Sequence, residues 1–358
     1  MTPVLLSMAA VIASLLDPAP LDVNEASLRD FENLPGIGAS RASAIVSFRD
    51  SCGPILDLED LLGVPGIGPE TLEELRGMLV VSDDTSLPVD TSHWLPVADS
   101  LPGALLGIRV LDVGEGDAIL LSCPGGSTIL VDGGPDDGGP VAPPVVARLL
   151  LLGVDSLDAV IITHPHDDHI GGLVEVFRRI PVDCLYDPGT ESVSPVYEAL
   201  LEAVEASSSG YAPLEEGMTM DLGGAVLEVL DVGAAGVAEG NESSAVMRIT
   251  CGRFSALLAG DIEERSEVGL TPGAQPVTFM VAPHHGSRTS AFEPFLRRLR
   301  PQFVGVSAGR DNPFGHPHMS VLGRYAELGA TCLRTDRAGT IFVATDGSSI
   351  AVSTDLED

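Results

Sequence analysis

The chain has 358 residues, 44% of them apolar, with 52 acidic against 19 basic side chains and a net charge of −33. The length allows two or three domains with a sizeable core, while the charge repels polyanions at long range and excludes a tight, non-specific DNA binder that works through a basic surface. Lysine is absent, and the five cysteines stand singly at Cys52, Cys123, Cys184, Cys251 and Cys332, so neither a disulfide framework nor a Cys-type zinc site is expected.

Residues 1–20 are an apolar leader, apolar from Val4 to Leu16. The run is too short to span a bilayer comfortably and lacks the basic start of a secretory signal. It is expected to serve as a signal or anchor, which favours an extracytoplasmic or secreted chain; a cytoplasmic chain with a misassigned start is the alternative. No later run is long and apolar enough to span a membrane.

Residues 21–82 carry an internal repeat at a spacing of 30, "LPGIGASRASAI" from Leu34 and "VPGIGPETLEEL" from Val64. Each copy has a short helical pattern before it and a longer one after it, which predicts four helices in two hairpins. Gly36, Gly38, Gly66 and Gly68 permit backbone angles closed to other residues, and Ile37 and Ile67 are the expected apolar pins. Residues 83–104, rich in Pro, Ser and Asp, read as a linker. From residue 105 to 355 short apolar runs alternate with helical patterns and Gly-rich turns, which predicts a layered α/β domain.

One segment of that domain carries chemistry. In "THPHDDHIGG", His164 and His166 lie two apart, and Asp168 and His169 follow at once. Imidazole and carboxylate ligands together suit Zn²⁺, Mn²⁺ or Fe²⁺. The buried strand expected before the cluster, and Gly171-Gly172 after it, favour a built metal site over a solvated loop.

His-x-His-x-Asp-His after an apolar strand resembles the metallo-β-lactamase superfamily, and further motifs follow in the superfamily's order. "LVDGG" (Asp132) resembles its first motif, "LLAGD" (Asp261) the metal-bridging aspartate, and "APHHGS" (His284, His285) the last histidine motif. "LDVGEGDAILL", "PHHGSRTS" and "NPFGHPH" narrow the resemblance to the hydrolase domain of ComEC-type competence proteins. The "PGIG" repeat resembles the paired helix-hairpin-helix of ComEA-type competence proteins.

The resemblance implies an αβ/βα sandwich with a small all-α domain before it, two divalent ions (Zn or Mn), and hydrolysis of a phosphodiester. His164 and His166 are implied as ligands of the first ion, Asp168, His169 and His285 of the second, with Asp261 between them. His284 is a candidate phosphate contact, and which of His284 and His285 ligates stays open. His316 and His318 are candidates for leaving-group protonation or phosphate binding, Asp132, Asp112 and Asp117 for support behind the site, and Asn241 for a ligand or substrate contact. Two departures stand out. Glu115 replaces the Gln of the family pattern "DVGQGD", and no histidine lies between His169 and His284 to serve as the usual third ligand of the first ion.

DNA is the expected partner, met through phosphates at Gly36, Gly38, Arg41, Gly66 and Gly68. The module carries 11 acidic and 4 basic residues, with Glu70, Glu73 and Glu74 where basic residues are favoured, so a docking or spacer role is the alternative. A competence or membrane-channel protein is a second expected partner. The leading function is a metal-dependent phosphodiesterase or nuclease in DNA uptake. The alternatives are a hydrolase of small phosphodiesters such as phosphorylcholine esters, and a non-catalytic DNA-binding scaffold.

Overall fold

A computed structural model describes residues 20–52, 55, 58–81, 106–136, 142–190, 192–233, 240–310 and 312–355. The leader up to residue 19 and the linker expected at 83–104 lie outside them. The described residues fall into two compact units, divided after Leu87.

In the first unit, β1 (Leu21–Asp22) precedes α1 (Leu28–Glu32) and α2 (Ala39–Cys52). Ser27 starts α1 with a capping box, its hydroxyl accepting from the Asp30 N–H while the Asp30 carboxylate accepts from the Ser27 N–H. A 3₁₀ segment at Leu58–Gly63 and α3 (Pro69–Leu75) form the second hairpin, and β2 (Leu79–Val80) pairs in parallel with β1. The two hairpins match expectation, but one of the four helices is a 3₁₀ turn. It spans six residues and ends at Gly63, just before the second Pro-Gly-Ile-Gly turn. Ile37 and Ile67 are buried, at 4% and 5% exposure.

The second unit holds two sheets. The first contains β3 (Leu106–Val110), β4 (Ile119–Ser122), β5 (Thr128–Val131), β6 (Leu157–Ile161), β7 (Val182–Asp187) and β8 (Gly210–Pro213) in that order, with two late strands, β16 (Ile341–Thr345) and β17 (Ile350–Thr354), beside β3. The second runs from β9 (Thr219–Asp221) through β10 (Val226–Asp231), β11 (Val246–Cys251), β12 (Phe254–Leu258), β13 (Phe279–Val281) and β14 (Phe303–Val306) to β15 (Thr331–Arg334). Apolar residues of both sheets share one core cluster. On β4 and β5, Ile119, Leu121, Ile129 and Val131 point into that inter-sheet core, and Leu120 and Leu130 point the other way. There they meet α4 (Pro144–Leu151), α6 (Leu173–Arg179) and α7 (Pro195–Ser207). Burial on both faces explains why these strands read as unbroken apolar runs. The architecture is the predicted αβ/βα sandwich. Among the described residues no helix is long and apolar enough to cross a membrane.

Two groups of parallel strands matter for the site. β5 and β6 pair in parallel in one sheet, as do β12, β13 and β14 in the other. The chemistry-bearing loops leave the carboxyl ends of these strands, where ligands bind in open α/β sheets.

Candidate metal centre

β5 ends at Val131, and Asp132 follows with φ 56°. That left-handed angle costs a non-glycine residue roughly 1–2 kcal/mol. It is held by the Asp132 N–H bond to the Ile161 carbonyl (2.9 Å) and by the bonds of its carboxylate. One carboxylate oxygen accepts the Thr163 N–H (2.8 Å); the other accepts the Thr163 hydroxyl (2.7 Å) and meets His169 Nδ1 (2.8 Å). Asp132 thus holds both ends of the histidine loop from behind.

His164 and His166 lie on the extended turn between β6 and α5 (Asp167–Ile170), with His164 Nε2 3.0 Å from His166 Nδ1. Gly171 and Gly172 carry the chain from α5 into α6. A Cβ on Gly172 would lie 2.3 Å from the Gly133 carbonyl oxygen, so only glycine lets α6 start this close to the Asp132 loop. On the facing side, the Gly114–Gly116 turn is equally tight, since a Cβ on Gly116 would lie 1.9 Å from the Asp168 carbonyl oxygen.

Asp261 follows β12, and His284 and His285 follow β13. Asp261 Oδ1 lies 3.2 Å from His169 Nε2 and 3.4 Å from His285 Nε2, while Oδ2 lies 3.9 Å from both His164 Nε2 and His284 Nε2. His285 Nε2 is 3.6 Å from Asp168 Oδ2. One ligand atom from each of Asp168, His169, Asp261 and His285 falls within 4.8 Å of the others. His169 Nε2, His285 Nε2 and Asp261 Oδ1 are buried and lack an aligned hydrogen-bond partner. Orphaned nitrogens and oxygens converging on one point fit a cation held between them.

The charges point the same way. Burial opposes a charge on His169, but the carboxylates of Asp261 and Asp132 outweigh it and push the imidazole well above its ordinary range. His285 is pushed up likewise, against its burial, by Asp261, Asp117 and Asp168. Burial also opposes the charge on Asp168 and Asp261, yet the neighbouring histidines hold both carboxyls below their ordinary values. His164 goes the other way: burial and the charge on His169 keep it neutral, as a ligand nitrogen must be. The buried carboxylates call for positive charge at the centre, which suits a divalent ion.

The remaining predicted residues divide. Asp117 is buried with Oδ1 3.5 Å from His285 Nδ1, so it backs the site. Asn241 reaches His284 (3.3 Å) and Glu263 (3.2 Å). His316 and His318 extend the row of rings, 5.5 Å from His284 to His316 and 5.2 Å from His316 to His318. Asp112 does not fit the floor of the site. Its carboxylate turns to Arg148 on α4, 3.0 Å away, and the same guanidinium holds the Asp112 carbonyl at 3.1 Å, so the charge pair on the helix side of the sheet draws it away while Asp117 points in. Sequence reasoning missed Glu263 and Thr289, which lie 3.3 Å from His284 Nδ1, and Phe314, 62% exposed and stacked on His316. Thr289 and Phe314 lie inside the quoted stretches "PHHGSRTS" and "NPFGHPH", and Glu263 lies two residues after Asp261, which were the signals the sequence offered.

Residues 111–302 match the metallo-beta-lactamase superfamily. The chain belongs to this superfamily. It has the metallo-β-lactamase fold, with a centre whose residues could hold a metal ion. Residues 19–80 match the helix-hairpin-helix motif. ComE operon protein 3 of Bacillus subtilis is 28% identical over 65% of this chain and 32% of its own length. Recombination protein 2 of Haemophilus influenzae is 27% identical over 66% of this chain and 28% of its own. ComE operon protein 1 of Bacillus subtilis is 32% identical over 18% of this chain and 31% of its own. The chain therefore spans about a third or less of each relative's length. The superfamily unit is also similar to Competence protein ComA of Neisseria gonorrhoeae, 27% identical over 68% of this chain and 33% of its own length.

In the hairpin unit, Gly36 and Gly66 have φ of 72° and 85°. Arg41 Nη1 donates to the Gly36 carbonyl at 2.8 Å, and a Cβ on Gly66 would lie 3.4 Å from Arg41 Nε, so the guanidinium is bonded to one turn and lies beside the other. Among the described residues, nothing beyond the chain neighbours and the helix's own backbone stands within 4 Å of a Cβ on Gly38 or Gly68.

Proposed function

We propose that the chain hydrolyses phosphodiester bonds of DNA with two divalent ions, zinc or manganese. The observation that carries this is the convergence of the orphaned atoms of His169, His285 and Asp261 beside Asp168, with His164 and His166 next to them. Asp168, His169, Asp261 Oδ1 and His285 would hold one ion; His164, His166 and Asp261 Oδ2 would hold the other. Bound there, the ions supply a water acidified towards neutrality and offset charge growing on a phosphoryl oxygen.

The chain's own residues do the rest. Asp132 and Asp117 keep His169 and His285 turned towards Asp261. His284, 18% exposed and steadied by Glu263 and Thr289, is available to a phosphate oxygen. His316 and His318 serve the departing oxygen. Between the ends of two sheets, no serine or cysteine nucleophile is needed.

The hairpins are assigned to holding DNA by its phosphates, on the strength of the motif match and of Arg41 beside both turns. The relation to competence proteins favours a role in DNA uptake beside a membrane-channel partner. Export of the chain belongs to the same proposal and is checked by cell fractionation.

The deciding experiment is digestion of end-labelled single- and double-stranded DNA by metal-reconstituted protein, with a small phosphodiester in parallel. Metal-dependent DNA cleavage is expected. Cleavage of the small ester alone moves the substrate to phosphorylcholine-type esters, and cleavage of neither leaves a DNA-binding scaffold.

A further inference from the structure

Glu115 lies at the tip of the Gly114–Gly116 turn, between β3 and β4. One of its carboxylate oxygens is 2.9 Å from His316 Nδ1, and the other accepts the Gly309 N–H at 2.9 Å. Both side chains are largely buried, at 15% and 8% exposure. The surroundings are rigid on each side. Ser307 donates to the Gly116 carbonyl (2.7 Å), a Cβ on Gly309 would lie 2.8 Å from the Glu115 nitrogen, and Asn312 ties the Gly309 carbonyl to both backbone groups of His316.

A carboxylate only accepts hydrogen bonds, so the ring proton of His316 belongs on Nδ1. We infer that Glu115 is a positioning residue: it holds His316 with Nδ1–H turned to the carboxylate and leaves Nε2 as the atom that passes a proton to the departing oxygen. The inference rests on the phosphodiesterase reading. In that step Nε2 has first taken a proton from solvent, and the carboxylate faces the imidazolium so formed. The water oxygen bonds to phosphorus as the bond from phosphorus to the departing oxygen breaks. The bonding pair goes to the departing oxygen, which takes the Nε2 proton, and the proton released by the water returns to solvent.

The test is Glu115→Gln. The Gly309 N–H can only donate, so the amide oxygen must face it and the amide NH₂ must face His316. Nδ1 is then forced to accept, and the ring proton moves to Nε2. Such a ring still donates a hydrogen bond to phosphate, but giving up its proton would leave an anionic ring. We expect kcat for a phosphodiester with a poor leaving group to fall about 10- to 100-fold, with KM within about twofold. The double variant Glu115→Gln/His316→Ala should be no slower than His316→Ala alone, since the two residues act as a unit.

Nitrogen-15 NMR of histidine-labelled protein reads the tautomer without substrate, with His316→Ala giving the assignment. It should show hydrogen on Nδ1 in the wild type and on Nε2 in Glu115→Gln. Metal content and melting temperature should be unchanged. An unaltered tautomer in Glu115→Gln, or losses of rate that add in the double variant, would overturn the inference. If the wild type cleaves no diester, the phosphodiesterase reading and the proton step fall together, while the NMR result still decides whether Glu115 sets the ring.

Discussion

Asp261 divides its two carboxylate oxygens between two sets of nitrogens, His169 and His285 on one side and His164 and His284 on the other. A single buried residue thereby sets the spacing of two candidate cation sites. Asp168 completes one of them, and its side chain is 37% exposed, so its loss should spare the fold. Asp168→Ala is expected to lower metal content by about one ion per chain and the rate by on the order of 100-fold or more. Elemental analysis beside a hydrolysis assay checks this, and unchanged hydrolysis would end the two-ion account. Asp132 acts one layer further out. Asp132→Asn leaves an amide where His169 Nδ1–H needs an anionic acceptor, and about 10- to 100-fold of metal affinity should go with it. Competition with a chelator of known affinity measures the loss.

Helices secure the loop that follows the histidine pair. Glu267, on α8 (Glu264–Leu270), accepts the N–H groups of Ala291 and Phe292. Arg324, on α10 (Met319–Glu327, after α9 at Glu293–Leu299), donates to the carbonyls of Ser290 and Ala291. Burial pushes the Glu267 carboxyl up from 4.5 to about 7 against those bonds. The folded chain therefore holds this proton more tightly than the unfolded chain does. The resulting stability is full below pH 4.5 and is lost as pH rises to about 7. By the free energy of a pKa difference it amounts to about 3 kcal/mol. Glu267→Gln should flatten that part of the stability curve, at a cost of about 1 kcal/mol at low pH for the lost backbone bond. Denaturant unfolding at a series of pH values shows whether the slope disappears. In the hairpin unit, Arg41→Ala should weaken DNA binding by the full chain and reduce its salt dependence by about one phosphate contact. Equal binding by both proteins across a salt series would favour a docking role for the hairpins.

The whole molecule bears a charge of −33, yet its proposed substrate is a polyanion. Long-range attraction cannot bring DNA to the centre, so the proposed reading depends on the hairpin unit, with Arg41 beside its turns, to hold DNA for the superfamily unit. The two cation sites are unequal: four residues converge on one, and the other has His164, His166 and a share of Asp261. As isolated, the protein should carry fewer than two ions per chain. Added Mn²⁺ or Zn²⁺ should raise occupancy and rate together. A titration that follows both quantities tests this, and full activity at one ion per chain would remove the need for the poorer site.

Much of this was legible in the sequence because the ligands come in local clusters at strand ends. Apolar runs marked β4, β5 and β6, and His164 to His169 pointed to a candidate metal site by composition and spacing. The repeat at a spacing of 30 disclosed the hairpins, since a Pro-Gly-Ile-Gly turn is dictated by backbone angles that neighbours cannot override. Tertiary structure decided whatever depends on the approach of distant segments. The sequence could not say that Asp112 turns to Arg148 while Asp117 backs His285, because which strand face meets the site is set by how the two sheets pack. Nor could it join Glu115 to His316, 201 positions apart, or Glu263 to His284. Glu115 meets His316 because the two sheets pack face to face, and Glu263 meets His284 because β12 and β13 lie side by side with their carboxyl ends at one edge.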